Sequence, residues 1–550
     1  IISWITGSGI LKQDIVERDI AAIQAYYADQ GFIDIQVGQP EIEYLEDGIR
    51  VTFPVVEGDP YTVTEVVFLG ELLASTDELY ELIESEELAE DEDLFNRSMI
   101  RDDADILVNY YNDYGYAFAE CDVRLDKDEE ANTVAVGFFL SKKQKVFIRR
   151  VEIVGNDRTR DNVIRRELAL GDGDQFSGTG LQRSNTRLIK LDLFDSVEIE
   201  PVPTDDPEEL DLRVTVKEKS TGMIAGGIGY SSGIGPFVSF ILSERHMFGM
   251  GYDVGFKASF SSEETKYNFA FTDPAFMDTR LSAGIDLYYE DDSFADFTKR
   301  TTGGRIRFSY PVGEYSRLFL HYTLDRYIIR DVDADAAKVI RDLDGENWAS
   351  VVALAAMRDS TNRRLNPSEG SINSITFTNG GGILMGDDHF MRLVADTSWY
   401  FPIFEDWGHI LHLHAQAGTI WQNSGEETPV FERFYLGGMD SIRGYEYHKI
   451  SPRDRASNDY IGGQNELFAN VEYLFPLSEE YGLMWVFFFD AGDSWGGGDH
   501  DSFELRKSVG MGLRWFSPMG PLRVEWGYAL DEIPDQDSPH QIEFSMGQFF

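Results

Sequence analysis

The chain has 550 residues, which is too long for one ordinary core and predicts two to four domains. Hydrophobic residues make up 42%, aromatic residues 13%, and glycine occurs 51 times, a composition that excludes disordered, collagen-like and helical membrane proteins. The formal net charge of -49 argues against nucleic acid as a partner, because phosphate binding relies on lysine and arginine. Cys121 is the only cysteine, so an internal disulfide is excluded.

A repeated pattern fills the first 217 residues. A helical segment beginning at Lys12 ends just before Gly31, and a similar segment ends just before Gly115, 84 residues later. An alternating strand follows each glycine, and the left-handed residue that often ends a helix explains why glycine stands there. Predicted strands that end at Gly70 and Gly155 repeat at nearly the same spacing. These markers predict a tandem repeat.

The repeated unit has the order strand, helix, helix, strand, strand. The helical segments Ser75 to Leu88 and Thr159 to Leu168 follow its first strand. This order, at about 80 residues per unit, resembles the POTRA domain. The resemblance divides the chain into a partial POTRA domain at 1–58, POTRA domains at 59–143 and 144–218, and a last region at 219–550. The first unit lacks an opening strand and helix, so we expect the chain to be a piece of a longer protein.

The last region consists of strands separated by Gly, Asn and Asp. Large apolar residues alternate with small or charged ones, for instance in Leu467 to Phe475 and in Leu522 to Tyr528. Such alternation fits a soluble sandwich as well as a membrane barrel. Length favours the barrel, because roughly 330 residues at about 20 per strand and connection give about 16 strands. The predicted fold class is multidomain: α+β POTRA repeats (β-α-α-β-β), then a transmembrane antiparallel β-barrel of about 16 strands.

Several motifs of the last region resemble those of one family. The segment Gly437 to Tyr445, GGMDSIRGY, matches the (V/I)RG(F/Y) segment of a long extracellular loop that folds back into a barrel. Supporting segments are Asp490 to Trp495 and Gly510 to Pro518, and the closing segment Phe544 to Phe550 resembles a C-terminal β-signal. Together with the POTRA-like repeats, these motifs identify the chain as a member of the BamA family of POTRA-plus-barrel proteins over essentially its whole length.

The resemblance implies an outer-membrane protein insertase of a Gram-negative cell, which folds and inserts β-barrel proteins and is not an enzyme. The barrel is expected in the outer membrane and the POTRA domains in the periplasm. Expected partners are unfolded outer-membrane protein clients, accessory outer-membrane lipoproteins, periplasmic chaperones and the lipid bilayer. Two alternatives stay open: a TamA-like factor or two-partner secretion transporter that exports a dedicated substrate, and a passive porin. The number of POTRA units favours the insertase.

The resemblance places one loop motif inside the barrel lumen. The motif consists of Ile442, Arg443, Gly444 and Tyr445. A buried guanidinium needs carboxylate partners. Strand parity points Glu472 and Asp490 towards the lumen, and both match acidic positions that partner this arginine in the family. The sequence therefore predicts that ion pairs from Arg443 hold the loop inside the barrel.

The first and last barrel strands, predicted at about 222–230 and 541–550, must meet when the barrel closes. Glycine weakens strand pairing because it offers no side chain to pack, and the first strand is rich in it. The predicted lateral seam comprises Gly226, Gly227, Gly229, Phe544, Gly547 and Phe550. An opened seam would present unpaired backbone groups, to which the C-terminal strand of a client can add by β-augmentation.

Other candidate sites have plainer explanations. His412 and His414 lie two residues apart on one strand face, but no third ligand is visible, so barrel-surface histidines are favoured over a metal site. The glycines at 226–229 lack the following helix of a nucleotide loop. Ser494 lacks the flanking pattern of an esterase nucleophile. The sequence predicts no catalytic residue, no metal and no cofactor.

Overall fold

A computed structural model divides the chain into two compact units, residues 1–219 and 220–550. The structure describes residues 13–45, 48–231, 235–294, 296–363, 366–404, 407–423, 427–478, 481–517, 520–531, 533, 536 and 538–546. Within these ranges, no helix has the length and apolar character needed to cross a membrane.

The first unit begins with a helix and two small antiparallel sheets. Helix α1 spans Gln13–Asp29. The strands that follow are β1 Gln36–Val37, β2 Glu41–Tyr44, β3 Ile49–Thr52 and β4 Val55–Val56. Strand β1 pairs with β4, and β2 pairs with β3.

Two three-stranded α+β repeats complete the first unit. The first repeat contains β5 Thr62–Gly70, α2 Thr76–Tyr80, α3 Glu86–Glu90, α4 Arg97–Asp113, β6 Glu120–Asp128 and β7 Thr133–Ser141. The second contains β8 Phe147–Val154, α5 Asp161–Arg165, α6 Gly178–Lys190, β9 Phe194–Pro203 and β10 Glu209–Glu218. In both sheets the last strand lies in the middle, parallel to the first strand and antiparallel to the second.

Each repeat encloses its own core between helix and sheet. In the first, Leu107 and Tyr111 of α4 are fully buried against Val136 and Phe138 of β7, as the 3.6-residue and two-residue periods of helix and strand require. In the second, Leu188 of α6 is fully buried in the same way. The second repeat has the predicted order β-α-α-β-β, and the first differs from it in that its first helix is divided.

The structure replaces the predicted helix Ser75 to Leu88 with two short helices, α2 and α3. The buried carboxylate of Asp103 explains the interruption, because it accepts hydrogen bonds from the backbone amides of Glu84 (3.0 Å) and Ser85 (2.8 Å). Those amides lie between the two helices, and a side chain that satisfies them favours a break at this position.

The second unit is a closed antiparallel barrel of sixteen strands, which confirms the predicted fold class. Its strands are β11 Gly222–Ser231, β12 Gly235–Met247, β13 Tyr252–Ser261, β14 Glu264–Asp273, β15 Ser282–Ser293, β16 Thr298–Pro311, β17 Ser316–Arg330, β18 Gly345–Asp359, β19 Gly370–Gly380, β20 Phe390–Phe404, β21 His409–Trp421, β22 Asn465–Ser478, β23 Leu483–Trp495, β24 Arg506–Ser517, β25 Gly520–Ala529 and β26 His540–Met546.

Side chains alternate between the two faces of the barrel wall. On β23, Phe487 and Phe489 are 46% and 41% exposed, whereas Phe488 and Asp490 are buried. The outward face of the strand is therefore apolar, as in a membrane barrel and opposite to the polar outer face of a soluble protein. This observation decides between the barrel and the sandwich, which alternation by itself does not.

Short helical segments lie between some of the strands, although the sequence shows no convincing helix in this region. Among the described residues they are α7 Lys338–Arg341 and the 3-10 turns Phe276–Asp278, Gly382–Leu384 and Val430–Glu432. Each is four residues or shorter, below the length at which hydrophobic periodicity can reveal a helix.

Candidate functional site

The connection between β21 and β22 folds back against the inner face of the barrel wall. Isolated bridges join Phe434 to Gly463 and Leu436 to Ile450, so the two limbs of the connection run side by side. At its tip the Gly438 amide donates to the carbonyl groups of Ile442 (3.2 Å) and Tyr445 (3.0 Å), which closes a tight turn around the predicted motif.

Arg443 of this turn is 2% exposed and contacts three carboxylates. Its Nε and Nη2 donate to the two oxygens of Asp490 at 2.7 and 2.6 Å, in a bidentate pair. Its Nη1 donates to Glu472 Oε1 and to Glu525 Oε2, both at 2.6 Å. The structure therefore brings Arg443 together with both predicted carboxylates and adds a third. Charge-assisted bonds of this length are among the strongest in proteins.

Neighbouring groups complete the environment of the guanidinium. Its Cζ lies 3.6 Å from the centroid of the Phe488 ring, within the range of a cation–π contact. The Asn470 amide donates to Asp490 (2.8 Å) and to the Ser441 carbonyl (2.6 Å), so it ties the turn to β22 as well as to β23. The contacts thus fix both the position and the plane of the Arg443 side chain.

Two further arginines share these carboxylates. Arg514 donates to Glu472 at 2.6 Å and to Glu525 at 2.8 Å, and Arg523 donates to Glu525 at 3.1 Å. Glu525, Arg514 and Arg523 are members of the site that the sequence did not predict. The two-residue alternation of the strand could have indicated two of them, because Arg523 and Glu525 lie on its small or charged face, opposite Leu522 and Val524.

The other motif residues anchor the turn without charge. Ile442 and Tyr445 are fully buried and pack with Phe468 and Ala529. The Tyr445 hydroxyl lies 2.9 Å from the Lys507 carbonyl oxygen and 3.0 Å from that of Asp531. These contacts extend the anchoring from β22 and β23 to β24 and to the segment after β25.

The first and last strands meet at the predicted seam. Tyr230 pairs with Met546 and Ser231 with Ser545 among the residues that the structure describes, whereas Gly547 and Phe550 lie outside them. The Phe544 ring lies 5.8 Å from the Tyr230 ring, centroid to centroid.

The three seam glycines differ in their surroundings. A Cβ at Gly229 would lie 2.5 Å from the Met546 carbonyl oxygen and 2.3 Å from Phe237 Cζ, so this position requires glycine. At Gly226 and Gly227 the nearest atoms of the described residues to such a Cβ, both of Ser239, are 3.8 Å away, which is ordinary contact. Within the described part of the last strand, its close approach therefore explains the glycine at position 229.

A cavity of about 330 Å³ lies beside the loop motif and is lined by His412 and His414 as well as by Arg443, Glu472 and Arg514. The two histidines therefore face the interior, which corrects their expected place on the barrel surface. His412 Nδ1 lies 2.8 Å from Glu472 Oε2, and His414 Nε2 lies 2.8 Å from Asp396 Oδ2. In the described part of the chain, no cluster of three or more potential metal-ligating side chains occurs.

Family models match both parts of the chain. The Omp85 superfamily domain matches residues 246–550. The model described as surface antigen variable number repeat, POTRA, matches residues 2–58, 61–143 and 146–219.

Curated relatives match over nearly the whole chain. Outer membrane protein assembly factor BamA of Nitratidesulfovibrio vulgaris is 43% identical over 100% of this chain and 69% of its own length. The protein of the same name from Neorickettsia risticii is 29% identical over 95% of this chain and 70% of its own.

Solved structures show the same fold. BamA from Haemophilus ducreyi lacking POTRA domains 1–3 aligns with a TM-score of 0.71 at 21% identity, covering 88% of this chain and 99% of that one. CdiB from Escherichia coli aligns with a TM-score of 0.52 at 16% identity, covering 97% of this chain and 96% of that one.

Proposed function

Because this chain belongs to the BamA family of the Omp85 superfamily, we propose that it inserts other β-barrel proteins by templating at the seam between its first and last barrel strands. It is an outer-membrane protein assembly factor, with its barrel in the outer membrane and its POTRA domains in the periplasm. The assembly role follows from the family, and the mechanism at the seam is the proposal.

The observation that supports the proposal most directly is the close approach of the last strand to Gly229. At this point the Met546 carbonyl occupies the space that any larger residue would need, so closure depends on backbone contact. Backbone pairing is independent of side-chain identity, and the strand of a client can replace it with the same hydrogen bonds. An edge of this kind is normally covered in soluble proteins because it recruits other strands.

The loop motif serves as a brace in this mechanism. Arg443, Gly444 and Tyr445 contact β22 to β25, so the C-terminal wall of the barrel keeps its shape when the seam opens. A wall of fixed shape preserves the register in which a client strand pairs. We assign Ile442, Arg443, Gly444 and Tyr445, with Glu472 and Asp490, to this role.

The clients are unfolded outer-membrane proteins, delivered by periplasmic chaperones and received with the help of accessory outer-membrane lipoproteins. The lipid bilayer contacts the apolar outer face of the barrel. Strand exchange needs no bond cleavage, so the mechanism uses no catalytic residue and no cofactor. The family membership favours this function over export of a single dedicated substrate.

A disulfide across the seam tests the mechanism. Ser231 and Ser545 are directly paired, so cysteines at both positions in a Cys121→Ala background have suitable backbone spacing for a disulfide. The locked barrel should lose the ability to fold a client barrel in proteoliposomes, and reduction should restore it. The readout is the heat-modifiable gel shift of a newly folded client.

The matched control locks two strands that need not separate. Ser282 and Ser309 are paired in the same way on β15 and β16. Cysteines there should leave client folding intact under oxidising conditions. Full activity of the oxidised 231–545 variant would rule out templating at the seam.

A further inference from the structure

Each of the two complete POTRA repeats is joined to the repeat before it by the same two contacts, one from an aspartate side chain and one between backbone groups. Asp29, the last residue of α1, accepts hydrogen bonds from the Ser98 backbone amide and hydroxyl, both at 2.8 Å. Asp113, the last residue of α4, accepts from the Thr179 amide (2.8 Å) and hydroxyl (2.6 Å), and from the Ser177 hydroxyl (2.6 Å). Each carboxylate reaches out of its own repeat into the next one.

The acceptor sites are equivalent in the two repeats. Ser98 and Thr179 are both the second residue of a helix, after the N-caps Asn96 and Ser177. Each N-cap side chain already binds the third amide of its helix, Met99 or Gly180. The aspartate of the preceding repeat therefore satisfies a second orphan amide, which the helix itself leaves without a partner.

An aspartate is unfavourable where these two stand in their own helices. The C-terminus of a helix carries partial negative charge, which a carboxylate opposes, whereas the N-terminus attracts it. Asp29 and Asp113 end their own helices and contact the start of the next one. The two aspartates are therefore explained by their contacts with the following repeat and not by their own helices. Burial opposes ionisation of Asp113, yet hydrogen bonds from Ser177 and Thr179 lower its pKa below the ordinary value.

A backbone contact accompanies each carboxylate. The Tyr61 amide donates to the Gly31 carbonyl (2.9 Å), and the Val146 amide donates to the Gly115 carbonyl (2.8 Å). Both glycines follow the aspartate by two residues and have φ of +93° and +94°. The backbone contact lies at the linker between two repeats, and the aspartate contact lies at the start of a helix. Two separate points of attachment restrict rotation about the linker.

The last repeat breaks the pattern in an informative way. Its helix α6 ends at Lys190, and Asp192, with φ of +58°, takes the place of the glycine. The residue that corresponds to Asp29 and Asp113 is thus a lysine, and the described elements that follow this repeat are those of the barrel. The aspartate occurs where another repeat follows and is replaced where none does.

From these observations we infer that Asp29 and Asp113 are positioning residues that fix the orientation of consecutive POTRA domains. Each clamps the final turn of one domain onto the first turn of the last helix of the next, α4 or α6. The inference is independent of the seam mechanism, because it concerns only residues 13–219.

Distances between spin labels on the full-length protein in detergent test the inference. The exposed residues Asp19, Glu87 and Asp205 mark the three POTRA domains and are replaced by cysteine in pairs, in a Cys121→Ala background. Asp113→Ala should at least double the width of the Glu87–Asp205 distance distribution and leave the Asp19–Glu87 distribution unchanged. Asp29→Ala should have the reverse effect.

Two further variants make the test more specific, one as a control and one as a partial loss of the contact. Asp102→Ala removes a carboxylate on the same helix α4 that is 62% exposed and paired with its neighbour Arg101, so both distributions should stay unchanged. Thr179→Val keeps the amide but removes one hydroxyl donor, so it should widen the Glu87–Asp205 distribution by less than Asp113→Ala does.

Unchanged widths in folded Asp113→Ala would overturn the inference, and so would equal widening at both junctions, which would indicate general loosening. If Asp113→Ala fails to fold, Asp113→Asn replaces it, because the amide keeps the shape of the side chain but loses one acceptor. Unchanged widths, or equal widening at both junctions, would then overturn the inference for Asp113→Asn in the same way.

Discussion

Gly444 of the lumen loop and Gly527 of β25 contact each other backbone to backbone. A Cβ at position 527 would lie 2.5 Å from the Gly444 nitrogen and 2.7 Å from its Cα, and one at position 444 would lie 3.0 Å from the Gly527 carbonyl carbon. Gly444 also has φ of +87°, a conformation that other residues rarely adopt. The glycine after Arg443 is thus required by a contact with the barrel wall.

Gly527→Ala should displace the loop and lower the free energy of unfolding of the barrel by about 1–3 kcal/mol, as overpacking does in a close-packed interior. The measurement is the urea midpoint of the heat-modifiable form in detergent. Gly255→Ala is the control, because Gly255 lies within β13 and no atom of the described residues stands within 4 Å of an added Cβ. If the two variants behave alike, the contact with Gly444 does not constrain the barrel.

Arg443→Ala should destabilise the barrel by about 3–5 kcal/mol, because it leaves Asp490, Glu472 and Glu525 buried with part of their compensating charge removed. Arg443→Lys should be intermediate, since an ammonium cannot form the bidentate pair with Asp490. Urea unfolding again provides the measurement. Arg326→Ala breaks an exposed pair with Glu346 and should change little. An Arg443→Ala barrel as stable as the Arg326→Ala barrel would show that the ion-pair network adds no stability.

Glu543→Gln should stabilise the barrel by about 1 kcal/mol. Glu543 lies on the last strand directly opposite Glu525, it is 6% exposed, and its Oε2 has no hydrogen-bond partner among the described residues. Like charges in directly opposite positions destabilise a sheet, and Glu525 already receives the arginine donors. Glu525→Gln, the matched variant, should have the opposite effect and destabilise the barrel. A loss of stability for both variants would show that the Glu543 charge is compensated.

The stability of the last POTRA domain should depend on pH through Asp211. The carboxylate of Asp211 accepts hydrogen bonds from Arg149 (2.8 and 2.5 Å) and Arg150 (3.1 Å), and the bonds from Arg149 above all lower its pKa. A carboxylate whose pKa is lower in the folded state stabilises that state above the unfolded pKa of about 3.9, and the effect disappears as the pH falls through the folded pKa.

Calorimetry of the full chain at several pH values between 7 and 2 measures this contribution. The POTRA transition of Asp211→Asn should lie below that of the unmodified protein at pH 5 to 7, and the difference should vanish towards pH 2. A difference that is constant over this range would show that Asp211 acts through packing alone.

Local patterns in the sequence predict most of the architecture. The helix periods, the glycines that end helices and the two-residue alternation are each written in short stretches of chain, and they suffice for the repeat order and the number of barrel strands. The membership of the BamA family that the motifs and repeats indicate is confirmed by the family models and by the curated relatives. Short helices such as α7 are not predicted because four residues are too few to show a helical period. The break between α2 and α3 is not predicted because it depends on hydrogen bonds to the distant carboxylate of Asp103.

Parity alone states which side chains face the lumen, and by this rule Glu472, Asp490 and Glu525 are all candidates to contact Arg443. Only the tertiary structure shows that Arg443 reaches all three, because the distances depend on strand stagger around the barrel and on the depth to which the loop enters. The aspartate contacts between POTRA domains have the same origin, since Asp113 and Thr179 are 66 residues apart in the chain. The sequence by itself determined the elements and the face on which each residue lies, because these depend on backbone geometry over a few residues. The partners across the lumen and between domains were decided by the assembled fold, because that assembly brings distant segments within hydrogen-bonding distance.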